Sequence, residues 1–414
     1  MLDKNECENI SSFELEIEKM KQQFCMEKND MINIANKLKS DMINRKYFMM
    51  LPSKLKVNNI ACVGEYIALD FGGTNIRISI YRLKGNGIYE VVVERRFPLK
   101  TKEYNYLSGE YDILDVFSKV AENIKEMIEP NKYYYLGHSL SRAFVSKDIN
   151  HAVISKCPAG FNIKNFKGCD VNEMLNVALK KYNLNVEPVS VINDTTAVLA
   201  GGKYLYPNVD MSCVVGTGYN MGMIDKNLEI VNTESDAFSD FDVGYYDEKY
   251  VKWRGLPKEQ CNLMNGFVAP GEKAAIMARL VMDDFVSKGV LQPIDDITPQ
   301  VLSLALKGYI DEKSSENQKV FINEVANAIY GRGAKLIACQ ICAILALTDP
   351  KLEREHGIMF EGSTARNVPY VEYVKEALYT LYGEKAKKIN CYFEKDVAML
   401  GAAVSASMVS KGLN

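Results

Sequence analysis

Apolar residues recur at helical spacing from residue 12 to 47, where Phe13, Ile17, Met20 and Phe24 share one face and charges occupy the other. Leu51-Pro52 ends that pattern. Alternating and short continuous apolar runs then predict strands over Tyr66 to Phe71, Ile76 to Leu83 and Tyr89 to Arg95. The last two are joined by Lys84-Gly85-Asn86-Gly87, a segment with hairpin chemistry. A helix over about 113–128, a strand over Tyr133 to Leu140, a helix over about 171–182 and a strand over Pro188 to Asn193 follow. The order then repeats. Ser212 to Val215, Tyr219 to Ile224 and Glu229 to Val231 form a second meander. Helices over about 272–288 and 318–347, a strand at Ile358 to Phe360, a helix, a strand at Asn390 to Phe393 and a closing helix complete it. Three antiparallel strands followed by strand–helix alternation, twice, is an internally duplicated α/β unit.

The duplication matters because each copy carries a glycine turn at the same place, between its first two strands. The first is Asp70-Phe71-Gly72-Gly73-Thr74-Asn75-Ile76-Arg77; the second is Gly216-Thr217-Gly218-Tyr219-Asn220. Each turn offers backbone N–H groups and a threonine hydroxyl without side-chain bulk, which suits a phosphate chain. One such turn also marks ordinary hairpins. Two facing turns point to a nucleotide held between two related halves, and so to a kinase.

Phosphoryl transfer asks the protein for alignment, charge neutralisation and exclusion of water. Asp70, at a strand end beside the first turn, is the candidate for holding Mg²⁺ through water, and capping a turn is its plain alternative. Gly72, Gly73, Thr74 and Asn75 are candidates for the β- and γ-phosphates. Arg77 either adds charge there or is a solvated strand residue. Gly216, Thr217 and Gly218 would hold the chain from the opposite wall. Asn193-Asp194-Thr195 lies where a strand gives way to a helix. Asp194 is either an N-cap or the base that accepts the proton of an acceptor hydroxyl, and two flanking phosphate turns favour the base.

Bulk properties narrow the setting. A chain of 414 residues exceeds one ordinary core and predicts two domains. With 47% hydrophobic and 25% charged residues it is globular, and a net charge of −3 argues against a nucleic-acid surface. The ten cysteines are scattered and the opening Met1-Leu2-Asp3-Lys4-Asn5-Glu6 is polar, so free thiols in the cytoplasm are expected. Cys339 and Cys342 sit in an apolar helical stretch with no second pair to complete a zinc site, and that stretch is too short to span a bilayer. The three histidines, 138, 151 and 356, are far apart and predict no metal site.

Taken in order, these motifs resemble the hexokinase family of actin-like (ribonuclease H-like) kinases over about residues 12 to 410. Met50-Leu51-Pro52-Ser53, the Asp70 turn, Val191-Ile192-Asn193-Asp194-Thr195, the Gly216 turn, Asn232-Thr233-Glu234, Phe360-Glu361-Gly362-Ser363 and Gly401-Ala402-Ala403 carry the likeness. The resemblance implies a large domain from 1–57 plus 195–396, a small domain from 58–194 plus 397–414, and a cleft that sugar binding closes. It implies ATP and Mg²⁺, an adenosine contact at Gly362 and Ser363, and sugar contacts from Ser141, Asn193, Asp194, Asn220 and Glu234. The expected reaction is transfer of the γ-phosphoryl group to the 6-hydroxyl of a hexose, glucose being the first case to test. The expected assembly is a monomer or homodimer without membrane attachment.

The likeness breaks in the sugar segment. Arg142-Ala143 replaces the family's Phe-Pro after Ser141, and Cys157-Pro158-Ala159 replaces Trp-Thr-Lys. Cys261 lies near the place of a further sugar-binding glutamate, with Glu259 two residues away. Each lost hydrogen bond would weaken recognition by about 1–3 kcal/mol if its partner stays buried and unpaired. Arg142 and Lys156 are candidate new donors or surface charges. A catalytically weak protein that binds sugar or nucleotide and serves as a sensor or interaction partner is therefore the competing reading.

Overall fold

The computed structural model describes residues 11–57, 63–157 and 160–411. Pro158 and Ala159, the side chains of Ala143 and Lys156, and the polar opening with Cys7 lie outside the described residues, as does Cys62. The helical stretch read over 12–47 is two helices, Ser12–Phe24 and Lys28–Asn44, because Cys25 leaves helical geometry and Ser11 and Glu27 each open a capped helix. Phe13, Ile17, Met20 and Phe24 are buried together, as their spacing predicts.

The strands in chain order are β1 (Leu51–Lys56), β2 (Val63–Phe71), β3 (Asn75–Gly85), β4 (Ile88–Pro98), β5 (Tyr134–Leu140), β6 (Ala143–Ser146) and β7 (Ala152–Lys156). They continue with β8 (Val186–Asn193), β9 (Val209–Val215), β10 (Tyr219–Ile224), β11 (Glu229–Asn232), β12 (His356–Glu361) and β13 (Ile389–Phe393). One sheet runs β4-β3-β2-β5-β8 and the other β11-β10-β9-β12-β13, with β1 added outside β11. In both, an antiparallel meander is followed by two parallel strands. The duplication expected from the sequence is thus present as two sheets of the same strand order. β1 was expected only as the stop of a helix; its pairing of Leu51 with Asn232 makes it an edge strand, where Pro52 is tolerated. A short hairpin, β6–β7, follows Ser141 directly.

Between the sheets lies a core built from the helices Asp194–Leu205 and Val397–Ser410 with Ala68, Tyr81, Val209 and Met359. The first helix packs chiefly on the sheet holding β9, and the second on β2, β5 and β8. They approach so closely that a Cβ on Gly401 would stand 1.7 Å from the Ala197 carbonyl oxygen, so only glycine fits.

The helix Glu316–Thr348 holds Cys339 and Cys342. It is longer than the apolar stretch suggested, and by length and composition it could cross a membrane; yet 78% of its most apolar window is buried inside the protein. Burial raises both thiols, which are free. Nothing else among the described residues meets that length and hydropathy test.

Candidate active site

Parallel strands β2, β5 and β8 end at one edge of their sheet, and their last residues gather the site. Asp70 lies opposite Ser139, Phe71 opposite Leu140, and Leu140 opposite Asn193, so Asp70, Ser141 and Asp194 leave three neighbouring strands side by side. Asn193 is the N-cap of the following helix, its Oδ1 accepting from Thr195 N at 2.9 Å, and Asp194 is the first helical residue. The cap position is therefore held by its neighbour, and Asp194 shares the Thr195 N–H with it. Its Oδ1 accepts from Thr195 N at 2.8 Å. Burial raises its pKa and the Asp70 charge adds to the rise, while hydrogen bonds from Thr195 and Ser141 work against it.

Asp70 is held by Arg77, both Nε and Nη2 lying 3.1 Å from Oδ2, and Arg77 Nη1 reaches Asp396 at 2.6 Å. Arg77 is engaged by two carboxylates. Burial pushes Asp70 up nonetheless, with Arg77 opposing. Gly73 and Thr74 are exposed at the tip, where Gly72 N bonds Asn75 O and Asn75 Nδ2 bonds the Thr74 hydroxyl.

The facing sheet contributes Asn220 on β10 and Glu234 just past β11. Asn220 Nδ2 donates to Glu234 Oε1 at 3.1 Å, and Asn232 Nδ2 donates to the same oxygen at 2.6 Å. Burial raises the pKa of Glu234, and the charge of Asp194 raises it further. Two carboxylates from opposite sheets therefore feel one another. Asp70, Asp194 and Glu234 are deep among protein atoms, yet each keeps partial solvent access. Nearby Asp236 is pushed up to about 7 by burial and by Glu234.

Around the second turn, Thr217 and Gly218 are exposed. The Thr364 hydroxyl donates to Gly216 O at 3.0 Å and accepts from Gly271 N at 2.9 Å, joining three loops. Gly362, at φ 116°, lies so near that a Cβ there would stand 2.3 Å from the Val215 carbonyl oxygen. Ser363 follows it, exposed at the start of a short helix.

Sequence reading missed Asn232 as an individual contact, together with Thr364 and Lys273, whose Nζ donates to Thr217 O at 2.6 Å. Arg142, a substrate donor or a surface charge by sequence, is partly buried, with Nη2 on Gly72 O at 3.2 Å and its guanidinium 4.2 Å from the Phe161 ring centre. Cys261 is buried with its thiol on the carbonyls of Leu256 and Pro257, and Glu259 is exposed. His138 is buried behind Phe71, His356 is buried between Asp210 and Asp349, and His151 pairs with Asp148 at the surface. Among the described residues no group of three or more His, Cys, Asp or Glu could hold a metal by itself.

Two duplicated sheets, a glycine turn in each and an acidic cluster between them define a sugar-kinase type of phosphotransferase. The hexokinase family profile matches residues 16–204 and 272–408, and the chain belongs to that family. It is 24% identical over 410 residues to the hexokinase of Kluyveromyces lactis, covering 84% of this chain and 81% of that one. It is 26% identical over 399 residues to hexokinase-1 of Schizosaccharomyces pombe, covering 84% and 80%. In three dimensions it is similar to the hexokinase of Schistosoma mansoni complexed with glucose, with a TM-score of 0.78 at 20% identity, over 96% of this chain and 100% of that one.

Proposed function

We propose that this sugar kinase transfers the γ-phosphoryl group of ATP to the 6-hydroxyl of a hexose, with Asp194 as the base. The observation that carries the reading is the position of Asp194. It follows β8, beside the strand that ends next to Ser141, and its charge interacts with Asp70 on its own sheet and with Glu234 on the other. A carboxylate raised above its ordinary range by burial is a better proton acceptor than a solvated one. Ser141, Asn220 and Glu234 would hold the sugar hydroxyls. Glu234, accepting from two asparagines, is oriented to take a further hydroxyl proton on its remaining lone pairs. Gly72 to Asn75 and Gly216 to Gly218 would receive the phosphates, and Gly362 and Ser363 the nucleoside.

Mg²⁺ fits this donor set. The ion keeps most of its water and needs one or two carboxylates plus phosphate oxygens, so a full protein cage is not required. Asp70 is raised by burial even with Arg77 beside it, which marks a carboxylate with room for more positive charge. Bound there, Mg²⁺ would neutralise the β- and γ-phosphate oxygens.

Replacing Asp194 by Ala should leave ATP binding in place and lower kcat by about 10²–10⁴-fold. Wild-type activity should fall with decreasing pH at a higher pH than an ordinary aspartate would impose, because only the ionised base works. A coupled ADP-release assay over a panel of sugars tests the acceptor. Near-normal turnover by Asp194→Ala would reject the base. The altered segment from Cys157 supports the competing sensor reading. Tight sugar binding with no turnover on any sugar would decide for it.

A further inference from the structure

Six carboxylates, Asp70, Asp194, Glu234, Asp236, Glu361 and Asp396, form a linked set of interacting charges drawn from both halves. A polyphosphate entering this field needs cations that are not already paired. Arg77 is engaged by Asp70 and Asp396. Two other cationic side chains touch the turns. Arg142 donates from Nη2 to Gly72 O at 3.2 Å and from Nη1 to Ser141 O at 2.5 Å; Lys273 donates to Thr217 O at 2.6 Å. Neither forms an ion pair among the described residues. Each rests on a carbonyl of a different turn.

Resting on the kinase reading above, we propose that Arg142 and Lys273 form a two-sided cation clamp for the nucleotide polyphosphate, one from each wall. An anion arriving between the turns would compete with these carbonyls for both side chains. A phosphate adds a charge–charge attraction and, for arginine, a bidentate fork that a neutral carbonyl lacks, so exchange of carbonyl for phosphate is favourable. Both side chains can make that exchange. Lysine swings on a four-carbon stem, and the guanidinium slides on the face of Phe161. Burial lowers the pKa of both groups, with opposing carboxylates at a distance that leaves them incompletely compensated. The proposal also moves Arg142 from the sugar to the phosphate. A Cβ built on Gly73 would lie 3.7 Å from Arg142 Nη2, so the guanidinium flanks the exposed turn tip.

The test measures binding of ATP, ADP and adenosine to the full chain, and KM for ATP and for sugar, in wild type, Arg142→Met and Lys273→Met. Each variant should bind ATP and ADP about tenfold or more weakly, with a shallower dependence on salt, and should bind adenosine unchanged. Lys273→Arg should recover most of the loss. If Arg142→Met does not fold, Arg142→Lys serves, since it keeps charge but not the fork. Unchanged ADP affinity, or an equal loss for adenosine, overturns the clamp. A rise in sugar KM alone for Arg142→Met overturns it too. A wild-type chain that binds neither ATP nor ADP removes the kinase reading itself, whereas binding by wild type with no effect of the variants removes only the clamp.

Discussion

The two glycine turns occupy the same place in the same topological unit, yet their surroundings are unlike. Beside the first turn the chemistry is full charge: Asp70, Arg77 and Asp396 in a chain of ion pairs. Beside the second it is hydrogen bonding: Asn220 and Asn232 gather on Glu234, and Thr364 ties Gly216 to Gly271. The two halves share strand order and differ in side-chain chemistry. The ion-paired group suits a metal and a moving phosphoryl group, whereas the Asn220–Asn232–Glu234 group of the other wall, apart from the turn that Lys273 touches, suits a neutral, directional ligand. Recognition of hydroxyls by oriented amides and an acceptor carboxylate is what a sugar calls for.

This comparison breaks most thoroughly at the helix contact that sets the spacing of the walls. Gly401→Val would drive a side chain into the Ala197 carbonyl, between the helix on one sheet and the helix on the other. The expected loss is at least about 3 kcal/mol of stability, from overpacking against backbone that has nowhere to move. Urea unfolding measures it, and a loss below about 0.5 kcal/mol would show the helices to be separable without penalty.

Smaller and more discriminating are paired substitutions, one per wall. Asp70→Asn removes a charge and should lower kcat about 100-fold while leaving sugar KM near wild type. Glu234→Gln keeps the shape but turns an acceptor into a partial donor facing Asn232, and should raise sugar KM about tenfold with a lesser effect on kcat. Steady-state kinetics in both substrates separates the two. Equal effects of both variants on both constants would mean that the walls are not specialised.

Much of this arrangement is legible in the sequence. The repeated meanders, the two turns and Asp194 after its strand all depend on local patterns: period-two alternation, glycine placement and a strand-to-helix junction. What was not readable depends on distant packing. Leu51-Pro52 looks like a helix stop because its strand partner, Asn232, is remote in sequence. Lys273, near the start of a helix, looks like any surface lysine. Only the fold lays it on Thr217, 56 residues away. The same holds for Arg142, whose neighbours Gly72 and Phe161 come from other segments. Asn193 and Asp194 show an intermediate case. The sequence places an aspartate at a helix start, and the structure shows that the cap is the asparagine before it.

The finest probe concerns a carboxylate where the walls meet. Glu361 ends β12, accepts from Ala398 N at 2.8 Å and is pushed up to about 7, chiefly by burial, with Asp70 and Asp396 adding to the rise. In the folded state it holds its proton to higher pH than in the unfolded chain. Between its ordinary value of 4.5 and about 7 the folded form therefore binds more protons, and stability falls as pH rises. Glu361→Gln can keep the bond to Ala398 and removes this dependence. Because Glu361 retains some solvent access, the variant should gain only about 1 kcal/mol over wild type at pH 8, and nearly nothing at pH 4.5. Chemical unfolding of both proteins at the two pH values checks the sign. A gain of the same size at both would place the effect in packing, and would show that the charges of the first wall do not reach across to β12.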